Sequence, residues 1–230
     1  MTTQSQQRAL RRSIIKLATS VALFALLLFL PAGTLGWTLG WIFIGAFVAM
    51  VAVAIPIVWR RNPEIFVVRQ SFHPGTAGWD RILAPTLIAT YLLILPIAGL
   101  DYRNNWAQAP IGLVITGYVV LALSLAAQIW PLVTNPHFEP GVRIQSDRNH
   151  RVIDTGPYAF VRHPGYVAAS LMAVALPLCL GSLVALIPAL ITIGLLILRT
   201  NAEDRLLQRE LHGYAAYAQR VPFKWIPGVW

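Results

Sequence analysis

The stretch GYVAASLMAVALPLCLGSLVALIPALITIGLLIL, residues 165–198, holds 34 residues without one charge. As one straight helix it would be about 51 Å long at 1.5 Å per residue, far more than the roughly 30 Å of hydrocarbon in a bilayer. One crossing cannot use it. Gly181-Ser182 near its middle is the natural break, and two helices of about 22 to 24 Å each are short but usable where the bilayer thins or protein shields them. The sequence therefore predicts a helical hairpin whose two ends, His163 and Arg199, return to the same face.

Working outward, further apolar runs lie at residues 13–31, 35–58, 82–100 and 111–133, each near the 20 residues one crossing needs. Lys16 in the first can snorkel to the interface. A signal peptide is disfavoured there, because a second run follows within five residues and no small-x-small cleavage pattern stands out. The fold expected is all-α and polytopic, with about six membrane-crossing helices and a C-terminal helix on the cytoplasmic side. Residues 1–133 would form the N-terminal transmembrane helices, and residues 134–230 a catalytic region. Pro56, Pro85, Pro96, Pro177 and Pro188 are expected to kink their spans.

Composition agrees: 57% of the 230 residues are hydrophobic and 12% charged, about half the charge of a soluble domain. The net charge of +9 would raise nucleic acid as a partner in a soluble protein, but these cations sit between apolar runs rather than along one face. Anionic lipid headgroups are the expected partner, with no nucleic acid. Six crossings put 17 of the 18 basic residues on one side, all but Arg103; the positive-inside rule makes that side and both termini cytoplasmic. Trp37, Trp41, Trp59, Trp79, Trp106 and Trp130 fall at span edges and read as interfacial anchors. Cys179 stands alone in an apolar run, which excludes a disulfide within the chain.

Polar residues concentrate in segment 134–163 and the tail 199–230. Pro164 suits the first position of a helix, with His163 just outside it. The unpaired N–H groups and positive dipole end of that helix favour an anionic group, and Arg162 can clamp the same carboxylate. Tyr158 and Tyr166 offer aromatic faces to a sulfonium cation or an adenine. Arg199, Glu203 and Glu210 share one helix face. Each cluster also has a plain alternative, an interfacial helix cap for the first and a solvated amphipathic helix for the second. A metal centre is not expected, since His137, His150 and His163 supply too few ligands.

Gly156-Pro157-Tyr158…Arg162-His163-Pro164-Gly165-Tyr166, then Arg199…Glu203-Asp204, then Tyr214…Tyr217…Val221-Pro222…Ile226-Pro227 resemble the isoprenylcysteine carboxyl methyltransferase family and its bacterial relatives. Looser forms of the arginine-histidine-proline signature occur in phospholipid N-methyltransferases and membrane sterol reductases. The resemblance is strong over residues 140–230; Arg61-Asn62-Pro63-Glu64 and Gly78-Trp79-Asp80-Arg81 are more weakly similar to bacterial members.

It implies a membrane-embedded enzyme that uses S-adenosyl-L-methionine, held by Tyr158, Arg162, His163, Pro164, Tyr166, Glu203 and Asp204. The acceptor would be a lipophilic small molecule or prenylated thiol acid entering sideways between helices. From the chemistry of the transfer, the catalytic residues expected are Arg199, which can position an ionised carboxylate acceptor, and Glu203, which, like His163, can take a proton if the acceptor is an amine. The family usually shows two glutamates where this chain has Glu203-Asp204 and a phenylalanine-glycine where it has Leu211-His212-Gly213. A lipid amine N-methyltransferase, a sterol-type reductase and a non-enzymatic scaffold are the competing classes. The reductase lacks support from a dinucleotide glycine fingerprint.

Overall fold

Each apolar run forms a helix, because inside lipid a backbone satisfies its N–H and C=O groups best within its own segment. The computed structural model describes residues 3–70 and 72–230, and the side chains of residues 3–6, 9 and 13 are outside the described set. Ser13, expected to open the first run, therefore lies within a helix with its side chain undescribed. The helices are α1 (Thr3–Ala32), α2 (Thr38–Arg61), α3 (Ile65–Val68), α4 (Asp80–Asn104), α5 (Ile111–Thr134), α6 (Pro164–Cys179), α7 (Leu186–Glu210) and α8 (Tyr214–Arg220). No β-strand occurs among the described residues.

Five helices are long and apolar enough to cross a membrane: Leu10–Ala32 of α1, then α2, α4, α5 and α7. The sixth apolar helix, α6, has 16 residues and is only about 24 Å long. The six runs thus resolve into five span-length helices and one shorter partner. Between α6 and α7 the chain reverses at Leu180-Gly181, where Gly181 has φ +72°, a conformation that glycine adopts without steric penalty. Ser182 N–H closes the turn on the Pro177 carbonyl at 2.9 Å. Pro188 falls in the first turn of α7 rather than inside a span, a position that loses no helical hydrogen bond, so it does not act as the expected kink.

Helix α6 packs most extensively on α5. Gly117 permits this: a Cβ there would lie 2.7 Å from the Cys179 backbone nitrogen, whereas Gly112 faces open space. Small residues allow this backbone approach in membrane bundles, and Cys179 is buried beneath it. Trp37 departs from the interfacial reading. It is 2% exposed and stacked on Tyr102, with ring centroids 4.9 Å apart, because the end of α4 offers an aromatic neighbour. Trp41, Trp106 and Trp130 remain about half exposed.

The turn end of the hairpin is stitched to the α4–α5 loop by Ala109 N–H to Gly181 O (2.8 Å) and Leu183 N–H to Ala107 O (2.9 Å). Asp101, fully buried, accepts from Ala107 N–H at 2.8 Å, from Gln108 and from the Ser182 hydroxyl. At the other end Lys16 Nζ donates to the Gln70 carbonyl at 2.9 Å. The start of α1 therefore lies beside the α2–α4 connection, at the end where the polar segments gather.

Candidate functional site

A cavity of about 330 Å³ opens at that polar end, between residues 135–166, α4 and the C-terminal part of α7. It is large enough for a cofactor-sized ligand. Two walls of different chemistry enclose it. The polar wall includes Asn135, His137, Glu139, Gln145, His150, Tyr158, Arg162, His163, Glu203, Tyr214 and Tyr217; the apolar wall includes Ala84, Leu87, Ile88, Tyr91, Ala169 and Leu196. Ile88 is 53% exposed, so the apolar wall reaches the lipid-facing surface.

The hairpin brings the two sequence clusters together. His163 Nε2 lies 3.2 Å from Asp204 Oδ1, and the Tyr166 hydroxyl donates to Glu203. The chain leaves at His163 and returns within reach of it 41 residues later.

Asp204, 2% exposed, does not line the cavity itself; it is the buried hub behind the floor, holding the residues that do. Arg162 grips it bidentately, Nε at 2.8 Å and Nη2 at 3.2 Å. Tyr214 donates at 2.9 Å and Gln208 at 2.8 Å. The remaining nitrogen of Arg162, Nη1, donates to the carbonyls of Val221 and Pro222, both at 2.8 Å. The bidentate clamp expected on an anionic ligand is thus made on Asp204. A buried arginine requires such partners, since an unpaired charge there would be destabilising. Burial opposes the charge of Arg162, but the Asp204 carboxylate outweighs it and raises the guanidinium pKa.

Pro164 opens α6 as expected. The Tyr166 and Val167 N–H groups turn back on the His163 carbonyl at 3.1 and 3.4 Å, which occupies donors expected to face an anion. The ring of His163 stacks on Tyr166 at 5.7 Å. Tyr158 accepts from Asn135 Nδ2 at 3.0 Å and packs with Tyr214 and Tyr217 in the polar wall; burial raises the pKa of its phenol. Backbone bonds from Arg162 to Phe223 O and from His163 to Lys224 O, both 3.0 Å, lay the tail along this floor.

Arg199 and Glu203 both line the cavity, whereas Glu210, on the same face of α7, lies beyond it and is exposed. Arg199 is bidentate on Asp80, at 2.7 and 2.8 Å, and also donates to Pro140 O at 2.7 Å. Its guanidinium sits 5.6 Å from the Tyr166 ring centroid. Asp80, fully buried, also receives Val142 N–H at 2.7 Å and so binds the loop to α4. Sequence reasoning quoted Asp80 without giving it a role. A lone acid opening a long apolar helix was the available signal.

Three further features went unrecognised. The His137 and His150 rings lie tilted against each other, centroids 4.6 Å apart, beside Gln145, whose Nε2 donates to the His137 carbonyl at 2.7 Å. Burial, then the neighbouring His137 and arginines, pushes the His150 ring down to about 4, and burial also lowers His137. Glu139 is held by Arg143 at 2.8 Å. Phe138 lies against Gly165, where a Cβ would come within 2.6 Å of its ring.

Residues 118–209 match the model of the isoprenylcysteine carboxyl methyltransferase (ICMT) family. The resemblance read over residues 140–230 is met by this match as far as residue 209; the match also takes in most of α5, and the Tyr214…Pro227 pattern lies outside it. Every expected site residue, from Tyr158 to Asp204, falls inside the match, which suggests a membrane methyltransferase. No curated protein matches the chain.

Proposed function

We propose that the chain is an S-adenosyl-L-methionine-dependent methyltransferase of the membrane, acting on a lipophilic carboxylate acceptor of the isoprenylcysteine type. Its site faces the cytoplasm, as do both termini. The observation that carries this reading is one cavity with a polar floor at one side and an apolar, lipid-reaching wall at the other. A polar cofactor and a greasy acceptor need such a shared space.

The floor fits the cofactor. Glu203 offers a carboxylate to an ammonium or ribose hydroxyl, and the Tyr158 and Tyr166 rings suit a sulfonium or an adenine. Arg162, His163 and Asp204 hold the shape of that floor through their mutual bonds, and Pro164 starts α6 at its edge. When bound, S-adenosylmethionine supplies a methyl group activated by its positive sulfur. The protein then has to align the partners and exclude water. An acceptor carboxylate is ionised near neutral pH, so no side chain has to take a proton. Arg199, its charge matched by Asp80, orients the reacting zone without neutralising the nucleophile.

Calorimetry on purified protein tests the cofactor. Wild type is expected to bind S-adenosylmethionine and its demethylated product saturably, and R162A, H163A and E203A each to weaken binding at least about tenfold, equivalent to about 1.4 kcal/mol. If all three bind like wild type, the site assignment is wrong. Methyl-labelled cofactor with an S-farnesylated N-acetylcysteine tests the acceptor. Label appearing only on lipid amines would reassign the acceptor class.

A further inference from the structure

Five arginines line the cavity: Arg69, Arg143, Arg151, Arg162 and Arg199. Three already hold acids, Arg143 on Glu139 and Asp147, Arg162 on Asp204 and Arg199 on Asp80. Arg69 and Arg151 have no carboxylate within ion-pair distance among the described residues. Those two cations remain available to an anionic ligand.

Their surroundings differ. Arg151 follows His150 on the polar wall. Arg69 follows α3 and donates Nη1 to the Phe138 carbonyl at 3.2 Å, with its guanidinium 5.2 Å from the Phe138 ring centroid. Phe138 packs on Gly165 at the base of α6, and the next residue, Tyr166, joins the apolar cluster of Leu87 and Leu196. Arg69 therefore stands where the polar floor meets the apolar wall.

Its environment also calls for an anion. Arg69 is exposed on the cavity rim, open to a ligand, and the like charge of Arg199 acts on it. A carboxylate placed beside it would offset that repulsion. Guanidinium and carboxylate also match in bidentate geometry.

We infer that Arg69 is the residue that binds the carboxylate of the lipophilic acceptor, with the acceptor's chain lying along the α4 wall at Leu87, Ile88 and Tyr91. This rests on the methyltransferase reading and adds the residue that selects an acid over a neutral analogue. Arg199, committed to Asp80, fixes the neighbouring wall.

The test uses full-length protein in nanodiscs loaded with the demethylated cofactor, and reads binding rather than turnover. The probes are N-acetyl-S-farnesylcysteine and its carboxamide, which share the same apolar chain. Wild type is expected to bind the acid at least about tenfold more tightly than the amide. In R69Q that preference disappears while amide and cofactor affinities stay unchanged; in R69K it is partly restored. Equal affinity of wild type for acid and amide, or an acid preference that survives R69Q, overturns the inference. So does a cofactor affinity that falls as much as the acid's, since Arg69 would then serve the cofactor. Should R69Q fail to fold, the wild-type comparison and R69K still decide. An intact acid preference without any methyl transfer would sink the proposed reaction and leave the role of Arg69 standing.

Discussion

The two ends of the helical bundle bury acids in opposite ways. At the hairpin turn, Asp101 is satisfied by neutral donors alone, a backbone N–H, an amide and a hydroxyl. At the other end Asp80, Asp204 and Glu139 are each held by an arginine. Only the second arrangement borders the cavity, whose lining includes nothing from residues 101–110 or 180–186. A permanent tie between a loop and a turn needs no cation. Where polar walls must stay apart around a space for ligands, matched ion pairs hold the shape without collapsing it.

Breaking the pair whose acid has the most side-chain partners should separate the ends most clearly. D204A leaves Arg162 buried without its partner and is expected to destabilise the protein by roughly 3–5 kcal/mol, with loss of cofactor binding in calorimetry. Next comes D80N, which retains the shape but not the charge that Arg199 meets. About 2 kcal/mol and a large fall in methyl transfer are expected, measured by thermal unfolding and labelled-cofactor assay; unchanged activity would remove Arg199 from the reacting zone.

Acidification probes the cavity end alone. The fold keeps His137 and His150 neutral, so as pH falls below about 6.5 the unfolded chain takes up protons first. The share owed to His150, about 1–2 kcal/mol after allowance for its partial exposure, should be lost between about 6.5 and 4; below that the loss continues as Asp204, whose carboxyl the fold holds below its ordinary range, takes up a proton. H150Q should flatten the higher-pH part of the melting-temperature profile. The smallest effect is assigned to D101N, which keeps an acceptor oxygen facing neutral donors. It should cost about 1 kcal/mol and leave cofactor affinity unchanged; a weakened cofactor would mean that the two ends communicate.

The comparison also marks what the sequence could reveal. The hairpin was legible because a charge-free run too long for one crossing carries Gly181-Ser182 at its middle. The gathering of Tyr158, Arg162, His163, Glu203 and Asp204 follows from that reversal. Which groups face each other did not follow, since spacing gives a helix face but not its rotation against a neighbour. Arg162 therefore read as a ligand clamp, although its partner is Asp204. The Asp80–Arg199 pair spans 119 positions and connects two helices whose adjacency no local pattern encodes. Trp37 shows the same limit, because an aromatic at a span edge looks alike in sequence whether it meets lipid or Tyr102.

The cavity floor is finished by residues 221–224, whose carbonyls receive Arg162 and His163. During translation these residues leave the ribosome only after α1, α2, α4, α5, α6 and α7 have emerged. Insertion into the bilayer can thus proceed while Arg162 still lacks two of its carbonyl acceptors and the floor is open. The same chain would acquire its place in the membrane before it acquires a closed pocket, so a nascent copy would be anchored before it is active.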